Sequence, residues 1–157
     1  MVNKKNFSFI NSSGKQLILQ NLKWRNLLAK SDSFTPISKK SFAFNAIEYF
    51  WAFVRFPSRT KSGAGYCGGG FEDYIFLFNL DKKSVHAVDR YLTQSCLKNV
   101  KVDIDSIEDR RDMNEKILFD AETGQLTFRQ GIVDNANIIE KNIQLSPSAS
   151  RIVYIEQ

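Results

Sequence analysis

The sequence predicts an α+β domain: a mainly antiparallel, twisted sheet with one principal helix packed on one face. Three observations carry this expectation. The runs Phe42 to Phe56 and Asp73 to Leu80 are rich in aromatic and β-branched residues, which suit strands. Turn signals at Ser12-Ser13-Gly14-Lys15 and Asp120-Ala121-Glu122-Thr123-Gly124 separate shorter apolar runs and read as hairpins. Val85, Val88, Tyr91, Leu92, Cys96 and Leu97 recur at helical spacing, which places the helix at about residues 84–97 with Ser84 as its cap.

Along the chain, Phe7 to Ile10 and Gln16 to Gln20 read as the strands of a first hairpin. Leu22, Trp24, Leu27 and Leu28 fit either a strand end or a helical turn, and the polar stretch Ala29 to Lys40, with Pro36, reads as a loop. Between Phe42 and Phe56 the apolar residues occupy both faces and change register near Asn45. This pattern predicts a central strand covered on both sides, broken by a bulge or tight turn. Val100 to Ile104 alternates as a half-buried strand, and Asp105 to Lys116 is a charged excursion expected as an exposed loop. Lys116 to Asp120 and Gln125 to Gln130 form a hairpin, with Gly124 supplying a positive backbone angle. Residues 131–142 look irregular, and Ile143 to Leu145 and Ile152 to Ile155 read as last strands.

The chain has 157 residues, 43% hydrophobic and 25% charged, the composition of an ordinary globular protein. One domain, residues 1–157, is expected, and thirteen Phe point to a Phe-rich core. The N-terminus has no apolar run of signal-peptide length, and the longest apolar stretch, Ile47 to Phe56, is too short to span a bilayer. A cytoplasmic protein without membrane contact is the expectation. Cys67 and Cys96 read as two reduced thiols packed as small hydrophobes. With one histidine they fall short of a structural zinc site, so no metal and no cofactor is expected.

The net charge of +5 is lopsided. Residues 1–62 carry eleven Lys/Arg against two acids, a net of +9, and residues 63–157 carry a net of −4. Such a basic region suits an acidic partner or a solvated face. Lys23-Trp24-Arg25, Arg55-Phe56 and Arg59 interleave bases with aromatics, as single-strand nucleic-acid binders do, with no accompanying recognition motif.

Five of eight glycines fall within residues 63–70. Gly63-Ala64-Gly65-Tyr66-Cys67-Gly68 spells G-x-G-x-x-G, but a strand follows it where a dinucleotide site needs a helix. A phosphate nest, a bulged connection between two core strands, and a partner-binding loop carrying Tyr66 and Phe71 remain as readings. Cys67 is the one nucleophile to consider, and His86 is the only histidine to serve as its base; nothing in the sequence brings them together. Glu72 and Asp73, as neighbours on a strand, face opposite sides and cannot share a site. Asp103, Asp105, Glu108, Asp109 and Asp112 lack the calcium-loop pattern and read as a solvated face or an electrostatic contact surface.

Three segments resemble a known group of proteins: Tyr66-Cys67-Gly68-Gly69-Gly70-Phe71-Glu72-Asp73-Tyr74, Tyr91-Leu92-Thr93-Gln94-Ser95-Cys96-Leu97, and Leu118-Phe119-Asp120 with Gly124-Gln125-Leu126-Thr127-Phe128. Together, over roughly residues 66–128, they resemble small bacterial immunity proteins of polymorphic toxin systems, including contact-dependent growth inhibition. The resemblance implies a cytoplasmic, non-catalytic protein that binds one cognate toxin domain, nucleases being one such class, and occludes its active site. Immunity proteins against nucleases are often acidic, and the charge of this chain departs from that. The expected partner-binding residues are Tyr66, Phe71 and Glu72, with Asp105, Glu108, Asp109 and Asp112 as electrostatic candidates. The alternative is a nucleic-acid-binding accessory protein that uses the basic N-terminal region.

Overall fold

The structure, a computed structural model, describes residues 2–3, 8–10, 16–37, 41–58, 70–102, 117–132, 138–145 and 151–155. Among these residues the chain forms thirteen strands and one short helix. The strands are β1 (Val2–Asn3), β2 (Ser8–Ile10), β3 (Gln16–Leu19), β4 (Ser33–Pro36), β5 (Phe42–Phe44), β6 (Ile47–Pro57) and β7 (Phe71–Leu80). They continue as β8 (Ser84–Ser95), β9 (Val100–Val102), β10 (Leu118–Phe119), β11 (Leu126–Ile132), β12 (Ile138–Leu145) and β13 (Ile152–Ile155). The helix, α1, spans Leu22–Leu28. The expected α+β class holds in coarse form, with the sheet dominant and the helix minor.

Two predicted elements need correction. Residues 84–97 form no helix: they are strand β8 and the turn after it. Its ladder with β7 shifts register between Asp73 and Tyr74 and again between Leu77 and Phe78. Each shift advances the side-chain alternation by one, so the strand's apolar residues fall at intervals that imitate a helix. Ser84 closes a tight turn instead of capping a helix: Asp81 N–H donates to Ser84 O at 2.8 Å. The second correction is a pair of strands where loop or irregular backbone was expected. β4 pairs Ser33–Pro36 with Ala52–Arg55, and Pro36 is tolerated at the end of an edge strand. β11 runs on to Ile132 and β12 already begins at Ile138, pairing from Leu126↔Ile143 to Gly131↔Ile138, so residues 131–132 and 138–142 of the stretch that looked irregular are strand.

The helix forms at the ambiguous Leu22 segment. Asn21 Oδ1 accepts from Lys23 N–H at 2.9 Å and Trp24 N–H at 3.4 Å, satisfying donors that a helix start leaves unpaired. Its Leu28 is buried, with Trp24 and Leu27 packed on the same core.

β6 is covered on both faces, as its sequence predicts. Tyr49, Trp51 and Phe53 enter one core with Ile75 and Leu77 of β7. Ala52, Val54 and Phe56 enter a second core with Phe76 and Phe78. The register change resolves as a two-residue turn between β5 and β6, with Asn45 at φ 50° and Ala46 at φ 61°. Both central residues of such a turn are left-handed, which Asn tolerates and Ala does not.

The sheet is antiparallel except for one pair, β3 with β8. β8 is where it branches. One edge pairs with β7 along its length, and the other pairs with β3 at Ser84–Val85 and with β9 at Ser95. Side chains serve the edge between. Gln130 Nε2 donates to the carbonyls of Leu92 (3.1 Å) and Thr93 (2.9 Å), and Asp89 Oδ2 accepts from Ile152 N–H at 2.9 Å. The sheet thus curls as a half-barrel about the first core. The hairpin of β3 and its neighbours, with α1, covers the second core, which holds Phe9, Leu17, Leu19 and Leu28.

The two arms of the curl meet at the β10–β11 turn. Trp51 Nε1 donates to Gly124 O at 2.9 Å, and Phe42 stacks between the turn and the Trp51 ring. Gly124 has φ 70°, and an added Cβ there would lie 2.3 Å from Phe42 Cδ2. The preceding carboxylate organises the turn. The Thr123 hydroxyl, then the Glu122 and Thr123 amides, hold Asp120 below the usual carboxylate range.

Gly124→Ala is expected to cost about 2–4 kcal/mol, from left-handed strain plus overlap with Phe42. Measured by urea unfolding, Phe42→Ala and Gly124→Ala combined should cost less than the sum of the single changes, because the overlap is then gone. Additive costs would show that the two do not press on each other. Ala46→Gly is expected to stabilise by about 0.5–1 kcal/mol in the same assay, since the turn demands a positive φ.

Candidate functional site

The site lies at the end of the doubly buried β6–β7 ladder, where β8 pairs with β7. Arg55 and Asp73 are direct cross-strand partners. Arg55 Nε donates to Asp73 Oδ1 and Nη2 to Oδ2, both at 2.8 Å, a fork-to-fork ion pair. The Asp73 side chain is wholly buried, and the Arg55 side chain is 33% exposed. Thr93, at the β8 bulge, donates its hydroxyl to Asp73 O at 3.0 Å. Burial pushes the Asp73 carboxyl above its ordinary value, with the Arg55 hydrogen bond opposing. The hydrogen bond that Arg55 donates to Asp73 in turn raises the Arg55 guanidinium above its ordinary value, with burial opposing.

Strand alternation places Phe71 on the same face as Asp73. Its ring therefore lies over the Arg55 guanidinium, 4.8 Å from ring centroid to Cζ, while Phe53 lies 6.0 Å away on the same cation. Phe71 nevertheless remains 39% exposed. Glu72, on the opposite face, is fixed by two donors. Its Oε1 accepts from Ser58 Oγ at 3.0 Å and from Leu97 N–H at 3.4 Å. Leu97, in the turn after β8, is 54% exposed. Cys96 N–H contacts Phe71 O at 3.4 Å, so this turn and the start of β7 form one corner. The corner sets two exposed apolar side chains, Phe71 and Leu97, beside a buried ion pair.

Of the residues expected from sequence, Phe71 and Glu72 are described: they stand at the same strand end but on opposite faces of β7. Tyr66, Asp105, Glu108, Asp109 and Asp112 lie outside the described residues, as do Cys67 and Asp103. Glu72 and Asp73 do face opposite sides. Arg55 and Leu97 are additions. An arginine within a long apolar run was the signal for Arg55, which the strand register sets against Asp73, the second acid of the next strand. Leu97 carried no such signal.

Cys96 is disulfide-bonded, which corrects the expectation of two reduced thiols. His86 pairs across from Asn79, about 24 Å along the ladder from Glu72. Its Nε2 lies 3.0 Å from Ser84 Oγ, which also faces Asp81 Oδ2 at 3.5 Å, so it serves the β7–β8 turn. Among the described residues no cluster of His, Cys, Asp and Glu is arranged to hold a metal ion, and no helix is long and apolar enough to cross a membrane. No protein family, curated protein or solved structure matches the chain.

The ion pair yields two expected outcomes. Arg55→Met should cost about 3–5 kcal/mol, because it strands a carboxylate that cannot reach water. Asp73→Ala should cost less, since Arg55 regains solvent. A carboxyl with a raised value binds its proton more readily folded than unfolded. Its contribution is fully present below the ordinary value of 3.8 and lost as pH rises through the raised one. Wild-type stability relative to Asp73→Asn should therefore fall as pH rises from 3.8 toward neutrality, as read by urea unfolding across pH. A rise over that window would contradict the assignment.

Proposed function

We propose that this protein is a non-catalytic binding protein of the immunity or inhibitor type, which occludes the active site of a cognate toxin domain through the Phe71–Leu97 corner. One observation carries the reading: two exposed apolar side chains stand at the end of a ladder whose backbone is pinned by the Arg55–Asp73 fork. An anchor that is already ordered loses little freedom on binding, and a buried aromatic at the centre of an interface is the usual energetic hot spot. Glu72 supplies a carboxylate whose second oxygen remains available to a donor on the partner. Asp105, Glu108, Asp109 and Asp112 are the proposed steering charges, matched to a basic partner surface such as that of a nuclease.

The nucleic-acid alternative has less support. Trp24 packs edge-on against Phe76 at 5.5 Å, and the Arg90 guanidinium lies over Trp24 and Tyr74 at 5.8 and 4.7 Å. These rings are engaged within the fold, as is Arg55, so their stacking capacity toward bases is already used.

The test begins with capture of the partner from nuclease-treated lysate of the source organism, its identification by mass spectrometry and its purification. Titration calorimetry should then give a nanomolar Kd or tighter, about −12 kcal/mol. Phe71→Ala should weaken binding by about 2 kcal/mol or more, roughly thirtyfold, with unchanged circular dichroism. Leu118→Ala, equally apolar but on β10, should leave affinity unchanged. An unaltered Kd in Phe71→Ala would reject this corner as the interface. Recovery of nucleic acid alone, lost steeply with salt, would favour the alternative.

A further inference from the structure

The face of β7 and β8 that carries the second core also carries an arginine that is held in place and has no acid. Arg90 of β8 is the cross-strand partner of Phe76. Its guanidinium lies 4.7 Å from the Tyr74 ring centroid and 5.8 Å from that of Trp24 on α1. Both rings are set by others: Trp24 packs edge-on against Phe76 at 5.5 Å, and Tyr74 against Phe56 at 5.8 Å. The rings are half-buried, whereas Arg90 is exposed. Among the described residues no carboxylate forms an ion pair with Arg90. The adjacent Asp89 is engaged elsewhere, its Oδ2 accepting from Ile152 N–H at 2.9 Å. We propose that Arg90 is an anchor for a carboxylate on a protein partner, with Trp24 and Tyr74 as its positioning residues.

The geometry suits that ligand. Aromatic rings attract a guanidinium through its face. The N–H edge, which binds a carboxylate through two parallel bonds, is not consumed by such contacts. An arginine ordered in advance loses little freedom on binding, and arginine is among the residues that dominate interfaces. The nearby charge has the same sign. From Gln16 to Lys30, the segment that includes α1, the chain carries Lys23, Arg25 and Lys30 and no acid.

A protein fits this face better than a nucleic acid does. Residues 72, 74 and 76 alternate to one side of β7, so Glu72 shares the face with Tyr74 and Phe76. Glu72 stands about 13 Å along the strand from Phe76, opposite Arg90. A run of phosphates following the strand meets that carboxylate, and the two rings are already occupied by Arg90. A protein surface can present an acid at one position and a donor at the other. The proposal does not rest on the Phe71–Leu97 corner.

The test uses the full chain, isotope-labelled, with arginine Nε–H signals read by NMR. The probes are a blocked peptide of alternating Glu and Gly, the same peptide with Gln for Glu, and an oligothymidylate of equal length. The acidic peptide should move the Arg90 signal further than that of any other arginine, and the Gln peptide should leave it in place. Arg90→Gln, at an exposed position, should keep the wild-type circular dichroism and weaken the acidic peptide by about fivefold, the scale of one exposed ion pair. Arg90→Lys should restore less than half of that loss, because it keeps the charge without the planar fork. Tyr74→Phe should bind as wild type, whereas Tyr74→Leu should weaken binding and leave the Arg90 Nε–H more mobile by heteronuclear NOE. Phe71→Ala should leave peptide affinity unchanged, which separates this site from the corner. An unmoved Arg90 signal, or equal affinity in Arg90→Gln, would overturn the proposal. Tighter binding of the oligothymidylate, lost in Arg90→Gln, would overturn it in favour of a nucleic acid.

Discussion

The ladder of β6 and β7 is apolar on both faces, and the rest of the chain is arranged to cover it. A strand with Tyr49, Trp51 and Phe53 on one side and Ala52, Val54 and Phe56 on the other cannot face water on either. Burying one such aromatic side chain contributes about 2–3 kcal/mol, so neither face is left open without a large loss. One face is closed by α1 and the N-terminal strands. The other is closed by the sheet itself, which branches at β8 and curls back until Trp51 reaches the Gly124 carbonyl. Two cores on one ladder thus explain both the branch and the curl.

A doubly buried ladder must still end, and its end decides what the molecule presents to others. Polar groups cannot be left unpaired there, so Arg55 and Asp73 neutralise each other with two bonds of 2.8 Å. Such a fork is weak evidence for stability, because desolvation offsets much of the attraction. Its clearer effect is positional: it holds the Arg55 cation under the Phe71 ring and the start of β7 against β6. The same ordering that seals the cores therefore delivers a fixed apolar corner. That is why a binding role is drawn from this end and not from the exposed Leu118 of β10, which lacks any comparable support.

Much of the fold was legible where side chains are large and strands regular. The β5–β6 turn at Asn45, the two-sided burial of β6 and the Gly124 hairpin follow from aromatic density and turn chemistry alone. β8 was not legible, because two bulges convert its alternation into helix-like spacing, and only the β7 partner reveals them. β4 was missed because Ser33, Thr35 and Pro36 carry no strand signal until β6 offers them a partner. The corner was half legible. Phe71 and Glu72 stand out beside the glycines, whereas Arg55 and Leu97 join them through a register and a turn that exist only in the folded chain. The two cysteines, twenty-nine positions apart in sequence, gave no sign that Cys96 is bonded.

The claim that binds these points is that the end of the β6–β7–β8 ladder is a contact surface already ordered before a partner arrives. Hydrogen–deuterium exchange of the protein, alone and bound to its captured partner, tests it most directly. The account predicts that amides of residues 71–73 and 95–98 are already slow in the free protein and slow further on binding, while Ile18 and Leu22 at the opposite edge do not change. Fast exchange at residues 71–73 in the free protein, or new protection confined to the Ile18–Leu22 edge, would contradict it.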